Sequence, residues 1–212
     1  MNATLESVNV GRPRVLAEPE RWSTAIFKDA VDEPVELGVH NLAGDQQADL
    51  SVHGGLDKAV CVYSADHIGA WQHELRIAEW GAAAVGENFT VAGQTETSVC
   101  IGDIFEVGSA IVQVSQPRSP CWKLARRWRR PDLPKRVLRS GRTGWYLRVL
   151  RSGRLQANEL LRLVDRPCEE WTIDRVNRIT YMPRRLRDAI SVARLADCPA
   201  LAVGWRRALV DD

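Results

Sequence analysis

Residues 101–124 read IGDIFEVGSAIVQVSQPRSPCWKL. Ile104 to Val107 and Ile111 to Val114 are β-branched runs on either side of Gly108-Ser109, a glycine-first pair suited to a type II′ hairpin turn. The second run leads into Gln116-Pro117-Arg118-Ser119-Pro120, where two prolines stiffen the chain. Cys121 then heads a short helix whose Leu124, Ala125 and Trp128 share one side. A hairpin that delivers a cysteine to a helix N-terminus predicts a β core with chemistry at its edge.

Similar runs recur between turn signals through the first 160 residues, which favours a barrel or sandwich over a parallel α/β sheet. WYLRVLRSGRLQ (145–156) predicts a second hairpin, with a strand from Tyr146 to Leu150, a turn near Ser152-Gly153, and Arg148 directed away from the apolar face. One helix interrupts this pattern. Ser64 can cap it, and Ile68, Trp71, Leu75 and Ala78 recur at helical spacing before Gly81. Its His67 and His73 fall on different faces, so they read as solvated surface residues and not as joint metal ligands. From about Cys168 the pattern turns helical. Thr172 can cap a helix with Ile173, Val176 and Ile179; Pro183 opens one with Leu186, Ile190 and Ala193; Pro199 opens a third with Leu201, Trp205 and Leu209. Helices this short bury little alone, so they are expected to pack on the β core, on each other or on a second copy in a homodimer.

The chain has 212 residues and is 45% hydrophobic, enough to bury a proper core; this excludes disorder and a disulfide-stapled miniprotein. Five cysteines (Cys61, Cys100, Cys121, Cys168, Cys198) form no CxxC pair, which argues against a disulfide framework, a zinc knuckle or a built-in iron–sulfur cluster. Without an apolar stretch of about 18 residues or a secretion signal in MNATLESVNVGRPR, no membrane association is expected and the chain reads as cytoplasmic. The formal charge of +2 conceals an uneven distribution. Residues 1–117 carry 6 basic and 17 acidic side chains, residues 118–154 carry 13 and 1, and residues 155–212 carry 10 and 9. A segment of net +12 points to an anionic partner.

Three constellations could carry chemistry. In His53-Gly54-Gly55-Leu56-Asp57-Lys58, adjacent glycines let backbone N–H groups approach an oxyanion, with Lys58 as a point charge; a plain glycine turn entering the strand from Ala59 to Tyr63 is the alternative. Glu87 and Asn88, within Gly86-Glu87-Asn88-Phe89-Thr90, offer acceptors and donors for a heterocycle, or they stabilise their own turn. Cys121 lies between Arg118 and Lys123 at a helix N-terminus, a positive potential that favours thiolate, hence a soft-metal ligand or a nucleophile. A small buried hydrophobe is the alternative there, as for Cys61 and Cys100. The remaining cations of 118–154, interleaved with Trp122, Trp128 and Trp145, would also suit nucleic-acid stacking.

Taken together and in this order, VHGGLDKAVCVY, GENFTV, residues 101–124 and GRTGWYLRVL closely resemble the MOSC domain, named for the C-terminal part of molybdenum cofactor sulfurases, from about Asn9 to Asp165. RPCEEWTIDRVNRI and the residues after it look like the three-helix extension of stand-alone bacterial members. The resemblance implies a mainly β fold with α: a MOSC-type β-barrel with peripheral helices over 1–165, then a small three-helix extension over 166–212. It also implies the molybdenum cofactor, Mo-molybdopterin, with Cys121 as metal ligand and catalytic residue. His53, Gly54, Gly55, Lys58, Glu87, Asn88, Arg118 and Lys123 would then bind the cofactor. Relatives of this type are associated with reducing N-hydroxylated compounds such as hydroxylaminopurines, which here requires an external electron-donor reductase. A sulfur carrier with a persulfide on Cys121 is the alternative, and a nucleic-acid-binding module a more remote one. Leu56, Cys61 and Asn158-Glu159 depart from the common family pattern.

Overall fold

A computed structural model describes residues 2–18 and 20–210. Its elements run β1 (Asn2–Val10), β2 (Arg14–Leu16), β3 (Trp22–Thr24), β4 (Asp29–Ala30), β5 (Val35–Leu37), β6 (Val60–Ser64), α1 (Ile68–Leu75), β7 (Phe89–Ala92), β8 (Ile104–Val107), β9 (Ala110–Pro117), α2 (Trp122–Trp128), α3 (Leu133–Ser140), β10 (Trp145–Arg151), β11 (Gly153–Leu155), β12 (Leu160–Asp165), α4 (Ile173–Tyr181), α5 (Ala189–Ala196) and α6 (Val203–Val210). Strands β12, β8, β9, β10, β6, β7 and β1 are bonded in that order and β1 also pairs with β12, which closes a seven-stranded barrel. Its neighbours are antiparallel except β6 and β7, whose parallel register needs a crossover; α1 lies in it.

The β8–β9 hairpin forms as the sequence predicts. Gly108 has a φ of 55° and Ser109 is not left-handed, as a type II′ turn requires, and a Cβ on Gly108 would lie 2.1 Å from Arg154 O. Phe105 and Val107 face Val112 and Ala110 across it, and all four are core residues. Asn158 takes the left-handed conformation with a φ of 68°, which asparagine tolerates.

Four local expectations need correction. The second hairpin does not form: β10 is bonded on both edges, by β9 and β6, so β11 leaves to pair with β5. Ser64 does cap, but it caps a 3-10 turn (Ala65–His67) that leads into α1, and α1 stops at the left-handed Arg76 with Ala78 beyond its end. His67 is not solvated, because its Nε2 lies 2.7 Å from Oε2 of the buried Glu96. In the C-terminal region Thr172 caps α4 through Arg175 N at 3.1 Å, but neither proline opens an α-helix. Pro183 precedes a single 3-10 turn, and α5 begins behind Asp188, whose carboxylate accepts from Ser191 N at 2.9 Å. Asp188 supplies the N-cap acceptor that a proline side chain lacks.

The C-terminal helices lie on the barrel. Trp171, Ile173, Val176, Leu195, Leu201 and Leu209 belong to the same apolar cluster as the strand interiors. Several hydrogen bonds fix their position, two of them from α4 and from just before α6. Ala202 N donates to Ser115 O on β9 at 2.9 Å, and Asn177 Nδ2 donates to Thr143 Oγ1 at 2.8 Å. A second cluster, built around Trp71, Trp80, Leu124, Leu133 and Val137, seats α1, α2 and α3 against the outside of the barrel. Trp80 stacks on Trp128 with centroids 4.8 Å apart, and Trp128 Nε1 donates to Ala84 O at 2.8 Å. This anchorage holds α2, and with it Cys121 at its N-cap, in one place.

Candidate functional site

Strand alternation creates the floor of the site. Val60 and Val62 point into the barrel, so Cys61 between them points out; Trp145 and Leu147 do the same on β10 and turn Tyr146 outward. Cys61 and Tyr146 are directly paired across the two strands. They form part of the wall of a pocket of about 650 Å³, counting its open mouth. The segment holding Asp45, Gln47, His53 and Gly54 closes one side of it, and Arg118, Ser119, Cys121 and Lys123 close the other.

The pocket is cationic, and it contains a buried arginine. Arg118 is 4% exposed, and its guanidinium donates to Val85 O at 2.9 Å and more weakly to Thr143 O at 3.5 Å; among the described residues no carboxylate is in salt-bridge contact with it, although its charge acts on the buried Glu87. Lys58 and Lys123 also line the pocket, and Lys58 Nζ donates to Val52 O at 2.7 Å. Lys28 faces the pocket too, but it is neutralised by the buried Asp45. His53 sits in this field. Burial first, then Lys123, Lys58 and Arg118, push its imidazole down to about 4, so it is neutral at pH 7. The two pocket thiols differ. Burial pushes Cys61 up to about 11 and keeps it protonated, whereas Cys121 is partly exposed at the helix start. Burial likewise raises the Tyr146 phenol, which keeps its proton.

The structure therefore brings together His53, Gly54, Lys58, Asn88, Arg118, Cys121 and Lys123. Two of the residues singled out in the sequence stand apart. Gly55 is not in the pocket wall; with φ of 90° it completes the turn after Gly54 at 98°. Glu87 is also outside it, and both its carboxylate oxygens are occupied, Oε2 by Val85 N at 3.0 Å and Oε1 by Thr90 Oγ1 at 3.1 Å. Burial raises its pKa. Asn88 reaches the pocket, but its amide joins strands, accepting from Cys61 N at 3.1 Å and donating to Asn9 O at 3.2 Å. Both residues shape the wall. Cys61, Tyr146, Lys28 and Asp45 are pocket residues that were not among the expected site residues; for the first two, strand alternation beside Val60, Val62 and Leu147 was the available signal.

Most of the cationic run has intramolecular partners. Arg126, Arg142, Arg148 and Arg154 pair with Glu20, Glu74, Asp57 and Glu36 of the acidic first half, and Arg136 pairs with Asp132. Arg127, Arg130 and Arg151 donate to backbone carbonyls. The most deeply buried arginine of the run, Arg118, is the one that faces the pocket.

Comparison with known proteins assigns this barrel, with its cysteine and cations on the outer wall, to a family. The MOSC domain model matches residues 49–162, more than half of the chain, and the chain belongs to the MOSC domain family. A model described as the YiiM-like, 3-alpha helix domain matches residues 171–211. Among relatives, the uncharacterized protein YflK of Bacillus subtilis is 41% identical over 94% of this chain and 90% of its own. A protein of Gibberella moniliformis named "Reductase" is 35% identical over 93% of this chain, which spans only 35% of that protein. The crystal structure of YiiM from Geobacillus stearothermophilus is 36% identical, covers 99% of this chain and 98% of its own, and superposes with a TM-score of 0.81. No helix among the described residues is long and apolar enough to cross a membrane.

Proposed function

We propose that this protein is a molybdenum-cofactor oxidoreductase that converts N-hydroxylated compounds to amines, R–NHOH + 2e⁻ + 2H⁺ → R–NH₂ + H₂O, with electrons from a separate reductase. The observation that carries this reading is Arg118, a buried cation with no carboxylate in salt-bridge contact among the described residues, lining the same pocket as the partly exposed Cys121. A buried, unpaired cation is costly, and an anionic group of the cofactor would offset that cost. The donor set fits the cofactor: one accessible thiol for a soft metal, and Arg118, Lys58 and Lys123 for the pterin phosphate. The family membership and the reductase-named relative support the same reading.

When bound, the cofactor supplies the two-electron redox chemistry at molybdenum. The chain's own part is ligation, orientation and proton placement. Cys121 would hold the metal, and Arg118, Lys58 and Lys123 the phosphate. Neutral His53 and the protonated Tyr146 and Cys61 place exchangeable hydrogens on the pocket wall without adding negative charge to it.

The test is metal and pterin analysis of protein made in a cofactor-competent host, with reductase turnover measured in parallel. Stoichiometric molybdenum in the wild type, lost with turnover in Cys121→Ala, is expected. Wild type without molybdenum, or Cys121→Ala with normal turnover, overturns the reading. Sulfane sulfur on Cys121 with no turnover would instead identify a sulfur carrier.

A further inference from the structure

Cys168 and Cys198 are 30 positions apart in the chain, and the fold brings their sulfurs to 3.5 Å, with Cys198 Sγ donating to Cys168 Sγ. Both are free thiols. We propose that they form a reversible disulfide, by exchange with a low-molecular-weight disulfide such as oxidised glutathione, and that it staples the helical extension where it rests on the barrel. Neither cysteine lines the Cys121 pocket, so this site is separate from it and does not rest on the reductase reading.

Access gives the two thiols different parts. Cys168 is partly exposed between β12 and α4, whereas Cys198, between α5 and α6, is 5% exposed. An external disulfide therefore meets Cys168 first. The Cys168 thiolate attacks one sulfur of oxidised glutathione, which forms a mixed disulfide and releases one glutathione thiolate. The Cys198 thiolate then attacks Cys168 Sγ, which forms the protein disulfide and releases the second glutathione. Two protein thiols are oxidised, one glutathione disulfide is reduced to two thiols, and the two protons pass through solvent to the released glutathione. The second step is intramolecular between groups already in contact, which favours ring closure over a second mixed disulfide. Burial, then the hydrogen bond from Cys198 and the charges of Glu170 and Asp103, raise the Cys168 thiol to about 12, so it is protonated at pH 7 and the exchange is slow.

The barrel holds the pair in register. Gly102, in the loop before β8, has a φ of 86°, and a Cβ there would lie 2.9 Å from Ala200 Cβ, 3.1 Å from Pro167 Cγ and 3.6 Å from Cys168 Sγ. The missing side chain lets the chain next to both cysteines pack on this loop. Three residues after Cys168, Trp171 O accepts from Ile101 N at 2.8 Å; four residues after Cys198, Ala202 N donates to Ser115 O of β9 at 2.9 Å. A disulfide would therefore join two points that are each tied to the barrel by a nearby backbone bond, and it would close a loop containing α4 and α5. Cys100 lies beside this region but is engaged, its Sγ donating to Glu169 O at 3.3 Å. A cross-link of this span restricts the unfolded chain and resists local opening of the two helices.

The experiment equilibrates the full chain, without oxygen, in mixtures of reduced and oxidised glutathione. Acid quenching, alkylation, digestion and mass spectrometry then locate every disulfide. One protein disulfide, Cys168–Cys198, is expected, and dithiothreitol should remove it. The disulfide form should melt roughly 5–15 °C above the reduced form. Proteolytic cleavage within α4 and α5 should slow by roughly tenfold or more. Cys168→Ser and Cys198→Ser should each abolish both gains, and Cys198→Ser should retain glutathione on Cys168. No protein disulfide at any ratio, a disulfide through Cys61, Cys100 or Cys121 instead, or a Cys168–Cys198 bond that leaves melting and cleavage unchanged overturns the proposal.

Discussion

Replacing Arg118 by methionine separates two roles that a buried arginine can have. If Arg118 were a structural clamp, its removal should be strongly destabilising; if it is held ready for an anion, the empty protein should tolerate the loss. The structure supplies the terms. Arg118→Met removes one good carbonyl contact, to Val85 at 2.9 Å, and one marginal contact, to Thr143 at 3.5 Å. Leaving those acceptors unpaired costs about 1–3 kcal/mol. Against this stands relief from desolvating a 4%-exposed guanidinium that has no carboxylate in salt-bridge contact, a penalty of the order of a few kcal/mol per buried ion. The two nearly cancel. For a chain of this size, about 2–4 °C per kcal/mol, the melting temperature of the unliganded variant should stay within about 5 °C of wild type.

Anion binding should respond in the opposite way. Inorganic phosphate near one hundred times its Kd stabilises a protein by about 2.7 kcal/mol, a rise of roughly 5–11 °C. Wild type should show that rise and Arg118→Met should not, because a charge-assisted contact worth about 1.5–3 kcal/mol has gone. Thermal unfolding with and without phosphate measures both quantities. A variant that melts more than about 10 °C lower without phosphate, yet still gains the full phosphate shift, would refute the reasoning, since Arg118 would then be part of the scaffold and not of the anion site.

The depressed His53 makes a pH prediction with a definite sign. Its folded value of about 4 lies below the ordinary value of 6.5, so the unfolded chain binds the extra proton first. His53 therefore costs no stability above about pH 6.5 and progressively destabilises the fold as pH falls toward about 4; His53→Gln should flatten that part of the pH–stability curve, and an unchanged slope would contradict the assignment. The intramolecular pairing of residues 118–154 predicts weak nucleic-acid binding. Electrophoretic shifts with duplex DNA at low salt should show no specific complex, and tight binding that falls steeply with added salt would reverse that expectation.

Much of the architecture is legible in the sequence, and the reason is range. The Gly108-Ser109 hairpin, the Thr172 cap and the position of Cys121 at a helix start depend on residues within a few positions of one another, where turn chemistry, alternation and capping act. The second hairpin misleads for the same reason: a local turn signal at Ser152-Gly153 cannot report that both edges of β10 are already bonded. Pro183 and Pro199 likewise suggest helix starts on local preference, although the chain continues past both before an α-helix begins.

The sequence by itself determined the barrel class, the helical extension and the cysteine with its flanking Arg118 and Lys123. Only the tertiary structure decided what surrounds that cysteine. Lys28, Asp45, Cys61 and Tyr146 come to it from separate segments, and Glu87, a cofactor residue by the family resemblance, has both carboxylate oxygens bonded within the protein. It also decided where the charge of the +12 segment goes. Arg126 finds Glu20 across 106 residues, Arg148 finds Asp57 across 91 and Arg142 finds Glu74 across 68. Charge acts through space and not along the chain, so four cations of a run that resembles a surface for nucleic acid pair with the acidic first half, while Arg118, buried and with no carboxylate in salt-bridge contact, faces the pocket of Cys121.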